Sequence, residues 1–514
     1  MKKKLYFEYF FLLSIGILTS LSLPPYNYFF LNFLTFSLFF IFLSKKNKRE
    51  NDKRKFFLYG WFFGFGYFAS NLYWISISLT FDINFKFLIP LVLILIPSCL
   101  AIFYGITTFL ISFFNLSKTL SAFFLFSLLF GITEFLRGTL LTGFPWNLVA
   151  YSFSNNLEII QIISFIGTYA FNVFCISIFT CPAVFFLGKN KKNIIVGSLF
   201  LLSPLIFYKV GSSMINIFDK SVSIKNDYVL RAIGSNIKLD RFYGNVEAKS
   251  VINELIDLSS PDPSKKTFFI WPEGIIPDTN QSQLKEFRYL FNEKFNKNHI
   301  LGIGINNLIY EEGKKKYYNS LSVFDHEINL ISVYNKVNLV PFGEYLPFEK
   351  ILNNIGLKVI TNNYQSYSSG EKRNIIEINQ KDFSLKLLPL ICYEIIYSGK
   401  IFKNPEFDYL VNISEDGWFG NSVGPEQHYA HSIFRAVESG KYIIRSSNNG
   451  VAAIINPKGI AEKKILRGDS GFIDFSEKKI TDITLFSIHG NKMFLLIILL
   501  YIFLIFSFNK IKNE

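Results

Sequence analysis

The chain has 514 residues, half of them hydrophobic, with a formal net charge of +14 at pH 7. Phe alone contributes 60 residues, and only 18% of the chain is charged, against about 25% in an ordinary soluble domain. This composition excludes intrinsic disorder, which needs low hydrophobicity and high charge density. Four cysteines in 514 residues exclude a small disulfide scaffold, and the length allows two or three domains.

Apolar segments long enough to cross a membrane, which takes about 20 residues, occur eight times. The first could be a signal peptide, because Lys2–Lys4 precede it, but no small-residue cleavage site follows and we interpret it as an anchor. The first and seventh are the weakest, and buried or interfacial helices are their alternative. The eight segments are approximately Leu5–Ser22, Tyr26–Ser44, Phe56–Leu79, Phe87–Phe114, Leu120–Leu141, Ile163–Leu187, Asn193–Val210 and Met493–Phe508.

Lysine and arginine are concentrated in alternate loops, which predicts the orientation of these segments. Basic residues lie before the first segment, throughout the loop 45–55, at Lys118, in 189–192 and after the last segment. With eight spans, all of these loops fall on the cytoplasmic side, so residues 212–490 lie outside the cytoplasm. The positive charge is then a topology signal and does not indicate nucleic-acid binding.

Residues 212–490 alternate short strand patterns with helical ones, which predicts one α/β domain. Helices are expected at Gln281–Phe295 and at Glu426–Glu438, and Asn449-Gly450 between two apolar runs indicates a hairpin. The expected strands are Tyr228–Ile233, Thr267–Trp271, Ile300–Ile305, Ser320–Phe324, Leu330–Asn335, Leu385–Cys392, Tyr409–Ile413, Tyr442–Arg445 and Val451–Ile455.

Cys392 is the only cysteine of this domain, since the other three lie in apolar spans. It cannot form a disulfide within the domain, so it is either a buried inert thiol or a reactive one. It ends the apolar run Leu387–Ile391, and the carboxyl ends of strands are where α/β domains collect their chemistry.

Two further charged residues follow expected strands: Glu273 after the strand that ends near Trp271, and Lys336 after Asn335. Singly, each would be an ordinary surface residue. Together with Cys392 they form a consistent set, in which a carboxylate takes the thiol proton, the thiolate attacks a carbonyl and the lysine stabilises the oxyanion.

The motifs Trp271-Pro272-Glu273, Tyr334-Asn335-Lys336 and Cys392-Tyr393-Glu394 resemble the Glu–Lys–Cys signature of the nitrilase superfamily of carbon–nitrogen hydrolases. With the membrane spans, the chain is similar to its membrane-bound branch, the apolipoprotein N-acyltransferases. Additional matching segments are Glu134–Gly138, Gly143–Asn147, Pro341–Pro347, Asp416–Gly420, Gly424-Pro425 with Gln427-His428, and Asn448–Val451.

The resemblance implies a polytopic α-helical membrane bundle with an inserted nitrilase-like αββα sandwich. The expected division is a transmembrane domain at 1–211, a periplasmic catalytic domain at 212–490, and an eighth span with a cytoplasmic tail at 491–514. The expected location is the bacterial inner membrane.

The activity implied by the resemblance is transfer of a fatty acyl chain from a phospholipid to the α-amino group of the diacylglyceryl-cysteine that begins an apolipoprotein. A thioester on Cys392 is the intermediate, Glu273 is the general base and acid, and Lys336 stabilises the oxyanion. The expected partners are the phospholipid, the apolipoprotein and inner-membrane lipid, with no cofactor, metal or nucleic acid. A membrane-anchored amidase and a non-enzymatic scaffold are the alternatives.

Supporting roles implied by the resemblance fall on Glu344, Tyr393 and Glu394. For Glu344 the alternative is an exposed loop carboxylate, and Tyr393 could simply pack. His428 and His431 are three residues apart on an expected helix, but no third ligand accompanies them, so we expect no metal.

Two departures from the resembled family concern Glu415, where the family usually has Asn, and Lys238-Leu239, where it usually has Pro-Gln.

In the fifth span, Glu134 and Arg137 are expected to pair, because each is costly in a bilayer alone.

An apolar set in Tyr345–Ile360 predicts a mobile lid over the site, with an ordinary core helix as the alternative. The residues of this set are Leu346, Phe348, Ile351, Leu352, Ile355 and Leu357.

Overall fold

A computed structural model describes the chain at residues 2–48, 52–244, 246–311, 313–354, 365–380, 383–399 and 406–510. The chain forms two compact units. The first comprises Met1–Ile217, Tyr397–Phe402 and Thr484–Glu514, and the second comprises Phe218–Ile396 and Lys403–Ile483. The chain therefore leaves the first unit near residue 217, rejoins it briefly at Tyr397–Phe402, and returns to it near residue 484.

Among the described residues, the first unit contains helices joined by turns and no strand. Its N-terminal portion contains α1 (Lys2–Ser20), α2 (Phe30–Asn47), α3 (Lys53–Leu72), α4 (Ile89–Ile111), α5 (Thr119–Thr139), α6 (Leu157–Ile160), α7 (Ile163–Thr180), α8 (Pro182–Leu187) and α9 (Lys191–Asp219).

Five helical segments among the described residues are long and apolar enough to cross a membrane, by length and composition: Ile83–Ile111, Thr119–Thr139, Ile163–Thr180, Lys191–Asp219 and Lys492–Asn509. The other three expected spans, α1 to α3, are helices too. Lysines near their ends and polar residues within them make these three helices less apolar than the five segments above. The count of eight spans therefore stays a prediction.

The expected pairing on α5 is confirmed. Arg137 forms a salt bridge with Glu134 three residues earlier, and both side chains are buried. Arg137 also donates to the carbonyl oxygen of Phe144. The two charges therefore compensate each other inside the helical unit, as the cost of an isolated charge requires.

The second unit is built on a twelve-stranded sheet with the order β5-β4-β3-β2-β1-β9-β8-β7-β6. In addition, β12 pairs with β1, and β10 pairs with β9 and β11. The strands are β1 (Ser223–Ser235), β2 (Thr267–Ile270), β3 (His299–Glu311), β4 (Lys314–Asp325), β5 (Leu330–Asn335), β6 (Ile376–Gln380), β7 (Phe383–Ile391), β8 (Tyr409–Glu415), β9 (Ile443–Asn448), β10 (Ala452–Ile455), β11 (Ala461–Ile465) and β12 (Gly471–Lys479).

Alternate residues of the strands enter two different cores. Phe268 and Ile270 of β2 belong to a cluster built almost wholly from strand residues of both halves of the sheet. Phe269, at the position between them, joins a second cluster that includes Val251 and Leu255 of a covering helix. This layering of a helix on the sheet, and of the two halves of the sheet on each other, agrees with the expected αββα sandwich.

The remaining helices lie between or after these strands. They are α10 (Ala248–Ser259), α11 (Arg288–Asn292), α12 (Glu349–Asn354) and α13 (Gly424–Ser439) in the second unit, and α14 (Leu485–His489) and α15 (Lys492–Lys510) in the first.

All nine expected strands are present, and the Asn449-Gly450 hairpin between β9 and β10 is confirmed. The expected helix at Gln281–Phe295 was wrong in extent. A short 3-10 helix ends at Phe287, whose φ of −95° and ψ of 5° break it from α11. The edge strands β6, β11 and β12 were not expected.

Candidate active site

The three candidate catalytic residues follow strands that point in the same direction. Strands β2 and β3 run parallel, and β5 returns to that direction after two antiparallel pairings. On the other side, β1, β9, β8 and β7 are also parallel to β2. Glu273, Lys336 and Cys392 therefore share the carboxyl edge of the sheet, where α/β domains place ligands.

Lys336 lies between two carboxylates. Its Nζ donates to Oε1 of Glu273 and to Oε1 of Glu344, at 3.0 Å in both cases. The amide Nδ2 of Asn319 donates to the same two oxygens at 2.7 Å. All four side chains are buried, and we call Glu273, Lys336, Glu344 and Asn319 the Glu–Lys cluster. Glu344 is thus no exposed loop carboxylate.

Glu273 reaches this position because β3 carries a glycine opposite it. A Cβ at Gly304 would stand 2.2 Å from the carbonyl oxygen of Pro272 and 2.6 Å from Cα of Glu273. Oε2 of Glu273 accepts a hydrogen bond of 2.9 Å from the backbone N–H of Glu415. Both oxygens of the carboxylate are therefore fixed by donors.

The electrostatics of the Glu–Lys cluster keep its lysine charged. Burial lowers the pKa of Lys336, but the charges of Glu273 and Glu344 outweigh it and raise that pKa well above its ordinary value. For Glu344, burial raises the pKa, Lys336 lowers it and Glu273 raises it again, with a net upward shift. Two carboxylates sharing one ammonium leave the cluster able to take up a proton.

Cys392 begins a 3-10 turn directly after β7 with a φ of +48°. This left-handed conformation is uncommon for a residue with a side chain and is concentrated at functional sites. Burial raises the pKa of the thiol well above its ordinary value, Glu273 raises it further, and Lys336 opposes the shift. The resting thiol is therefore neutral and needs a base to become a nucleophile.

Glu394 is fully buried and ties two of the strand ends together. Its carboxylate accepts from the N–H of Val337, directly after Lys336, and from the N–H of Ile391, directly before Cys392, at 2.9 Å each. It also accepts from the hydroxyl of Tyr334 at 2.9 Å.

Tyr393, the other supporting residue, lies between Cys392 and Glu394 in the same 3-10 turn. Its side chain is buried, which fits both a packing role and a role beside the nucleophile.

Comparison with known proteins matches the chain along most of its length. Residues 15–181 match the apolipoprotein N-acyltransferase N-terminal domain, and residues 267–465 match the carbon-nitrogen hydrolase family. The apolipoprotein N-acyltransferase of Rickettsia prowazekii (strain Madrid E) is 32% identical and covers 98% of both chains. The chain belongs to the apolipoprotein N-acyltransferase family.

A second relative, the apolipoprotein N-acyltransferase of Rhizobium leguminosarum bv. trifolii (strain WSM2304), is 30% identical over 90% of this chain and 88% of its own length. Among solved structures, Saccharomyces cerevisiae Nit3 covers 49% of this chain and 90% of its own, at 17% identity and a TM-score of 0.33. An apolipoprotein N-acyltransferase is an enzyme, so the scaffold alternative is set aside.

The structure adds residues that the sequence did not indicate. Asn319 of β4 has a polar side chain in a strand and lies beside Lys336, whose N–H donates to its carbonyl oxygen at 2.8 Å. An asparagine directly before an expected strand was its trace in the sequence, but the fold alone decides that this strand lies beside Lys336.

Asp416, His428 and Arg445, which we call the His–Asp cluster, adjoin the backbone of Cys392. His428 Nε2 lies 3.1 Å from the carbonyl oxygen of Cys392, and Nδ1 lies 2.8 Å from Oδ1 of Asp416. Arg445 donates to Oδ2 of Asp416 at 2.7 Å. All three side chains are completely buried.

The two histidines thus have different surroundings. His428 contacts the nucleophile's own carbonyl, whereas burial and the charge of Arg435 lower the pKa of His431 well below its ordinary value. Within the described residues, no group of three His, Cys, Asp or Glu side chains could hold a metal ion.

Proposed function

We propose that this acyltransferase moves a fatty acyl chain from a phospholipid to the α-amino group of an apolipoprotein's diacylglyceryl-cysteine. The proposed intermediate is a thioester on Cys392. The observation that carries the mechanism is the Glu–Lys cluster, in which Lys336 bridges Glu273 and Glu344 and is coupled by charge to the thiol of Cys392.

In the first half-reaction, Glu273 takes the proton of the Cys392 thiol and the sulfur attacks the ester carbonyl of the phospholipid. The ammonium of Lys336 stabilises the oxyanion. As the tetrahedral intermediate collapses, the ester C–O bond breaks and Glu273 returns the proton to the lysophospholipid oxygen. The acyl chain remains on Cys392.

In the second half-reaction, the α-amino group of the apolipoprotein attacks the thioester carbonyl and loses a proton to Glu273. The C–S bond breaks, an amide forms, and the thiol of Cys392 regains its proton. No cofactor or metal takes part in either step.

The supporting residues act through their neighbours. Glu344 orients Lys336 and adds the second negative charge that keeps it an ammonium. Glu394 fixes the two loops that carry Lys336 and Cys392. Tyr393 packs directly after the nucleophile and shapes its turn.

The proposed setting is the bacterial inner membrane. Residues 1–211 contribute seven spans, 212–490 form the periplasmic catalytic domain, and 491–514 form the eighth span with a cytoplasmic tail. The phospholipid donor explains a membrane location, because moving its sixteen-carbon acyl chain into water would cost about 12 kcal/mol at ~0.8 kcal/mol per methylene.

A reporter that is active only in the cytoplasm tests this topology. Fused after Gly370, it should be silent, and strong activity would contradict the periplasmic placement of the catalytic domain.

A mobile lid at Tyr345–Ile360 is proposed to admit the acyl chain. Two of its residues can be compared: Phe348 is 80% exposed with a φ of +54°, whereas Leu346 is buried. Helix α12 (Glu349–Asn354) follows, and Ile355 and Leu357 lie outside the described residues. An exposed aromatic side chain so near Glu344 in sequence supports a role in lipid contact.

The experiment that tests the function uses purified protein and phospholipid without an acceptor. The expected result is one acyl chain added to Cys392 by intact-protein mass, released by neutral hydroxylamine as a thioester requires. Cys392→Ala should remain unmodified. Absence of an adduct on the wild-type protein, with Cys392 accessible to a thiol reagent, would contradict the thioester mechanism.

A further inference from the structure

The backbone N–H that binds the general base belongs to Glu415, whose own side chain forms a buried salt bridge with Arg241. We propose that the Arg241–Glu415 pair is a positioning device, which holds the loop after β8 so that the Glu415 N–H stays on Oε2 of Glu273. The inference rests on the proposed role of Glu273 as base.

Arg241 connects this loop to the segment that follows β1. Its guanidinium is completely buried. Nη1 donates to the carbonyl oxygens of Ile237 and Lys238 at 3.3 and 3.0 Å, and Nη2 pairs with Oε2 of Glu415. The guanidinium carbon also lies 4.3 Å from the ring centroid of Phe242. Arg241 is therefore held on several sides.

The carboxylate of Glu415 is bound by three donors besides Arg241. They are Nδ2 of Asn448 at 2.7 Å, Nδ2 of Asn449 at 3.3 Å, and the N–H of Gly417 at 2.8 Å. Asn448 in turn accepts from the N–H of Ile237 at 2.9 Å. Three segments, after β1, β8 and β9, thus converge on this one carboxylate.

Both departures from the usual family pattern meet in this network. Glu415 replaces the usual Asn and takes part through its side chain. Lys238 replaces the usual Pro and takes part only through its backbone carbonyl oxygen, which accepts from Arg241. A buried carboxylate needs a partner, and Arg241 supplies it: burial raises the pKa of Glu415, and Arg241 opposes that shift. The pair is therefore the means by which this chain holds the loop after β8.

The consequence for Glu273 follows from its hydrogen bond. An N–H donated to a carboxylate fixes the direction of the oxygen that accepts it, so displacing the Glu415 N–H leaves Oε2 of Glu273 without its donor and the base out of position. The other groups facing Glu273 are Lys336, Glu344, Cys392 and Tyr367, together with the amide of Asn319. None of them is among the groups that hold Arg241 or the carboxylate of Glu415.

The test measures the rate of acyl-adduct formation on Cys392 against phospholipid concentration in wild type, Arg241→Met, Glu415→Asn and the double variant. Each single variant leaves one buried charge uncompensated, which displaces the loop after β8 and its N–H from Glu273, so the maximal rate should fall about tenfold. The apparent affinity for phospholipid should change less. The double variant removes both charges and should return the maximal rate towards wild type.

Arg231→Met is the matched control. Arg231 is buried, pairs with Asp474 and donates to the carbonyl oxygens of Ser259 and Ser260, but none of these partners bonds to Glu273. It should lower the melting temperature without lowering the maximal rate per folded molecule. Where Arg241→Met does not fold, Arg241→Lys should give a smaller loss of maximal rate.

The proposal is overturned if the folded single variants keep the wild-type maximal rate, or if the double variant loses as much of it as they do. A wild-type protein that forms no adduct would instead contradict the proposed function. The two failures are therefore distinguishable.

Discussion

Two buried charge clusters adjoin Cys392, and their charge balances are opposite. The Glu–Lys cluster sets two carboxylates, Glu273 and Glu344, against one ammonium. The His–Asp cluster sets one carboxylate against Arg445 and an imidazole. The first has carboxylate in excess, and the second has donors in excess.

This difference separates a cluster suited to chemistry from one suited to support. Arg445 and His428 outweigh the effect of burial and hold the pKa of Asp416 well below its usual range, so Asp416 stays ionised and moves no proton. In the Glu–Lys cluster, the pKa of Glu344 is instead raised by burial and by Glu273. A proton can therefore be accepted there, close to the thiol that must lose one.

The largest expected effect is on the base. Glu273→Gln keeps the shape of the side chain but cannot accept the thiol proton, so adduct formation on Cys392 should fall by about 10²–10⁴-fold. The measurement is the single-turnover rate by intact-protein mass, with circular dichroism to show an unchanged fold. A variant within a factor of three of wild type would assign the proton to another group.

Asp416→Asn should reduce stability more than rate, the reverse of Glu273→Gln. It leaves the charge of Arg445 buried without a carboxylate partner, so the free energy of unfolding should fall by about 3–5 kcal/mol. The adduct rate per folded molecule should fall less than in Glu273→Gln. Thermal denaturation in detergent and the single-turnover rate provide the two numbers, and a rate loss as large as that of Glu273→Gln with normal stability would abolish the distinction between the clusters.

The pH dependence of stability sharpens the same contrast. The pKa of Asp416 is lower in the folded protein than its unfolded value of about 3.9, so its contribution is present above that pH and is lost as the pH falls through the folded pKa. Below about pH 4, the difference in melting temperature between wild type and Asp416→Asn should therefore shrink. A difference that is constant down to pH 2 would contradict this assignment.

The smallest expected effect concerns the proposed lid beside the Glu–Lys cluster. Phe348→Ser should slow turnover of a long-chain phospholipid about fivefold, the loss of roughly 1 kcal/mol of apolar contact, with little change in melting temperature because Phe348 is exposed. Leu346→Ser, at a buried position, is the matched variant and should chiefly reduce stability. Equal losses on short-chain and long-chain donors would argue against the lid.

The sequence predicted the Glu–Lys–Cys residues because each ends an apolar run, a pattern that is local. It missed Asn319 and the contact of His428 with Cys392, because these depend on which strands become neighbours. Likewise, β11 and β12 carry several charged residues at the edge of the sheet, so their pairing is decided by backbone hydrogen bonds and not by apolar pattern.

The departures at Glu415 and Lys238 illustrate the same limit. In sequence these two substitutions lie 177 positions apart by their numbers and show no relation. Only the fold brings the carboxylate of Glu415 and the backbone carbonyl oxygen of Lys238 to one guanidinium, that of Arg241. A compensating partner across such a separation leaves no local signal in a single sequence.

The most direct test of the central claim asks where the acyl group goes after Cys392. Acyl-enzyme formed from phospholipid is separated from free lipid and divided, and one half receives a diacylglyceryl-cysteine peptide. The account predicts a stable thioester in the half without peptide, and rapid discharge to an N-acylated peptide in the other. Steady release of free fatty acid in both halves, with no acylated amine, would make the protein a membrane-anchored hydrolase and contradict the account.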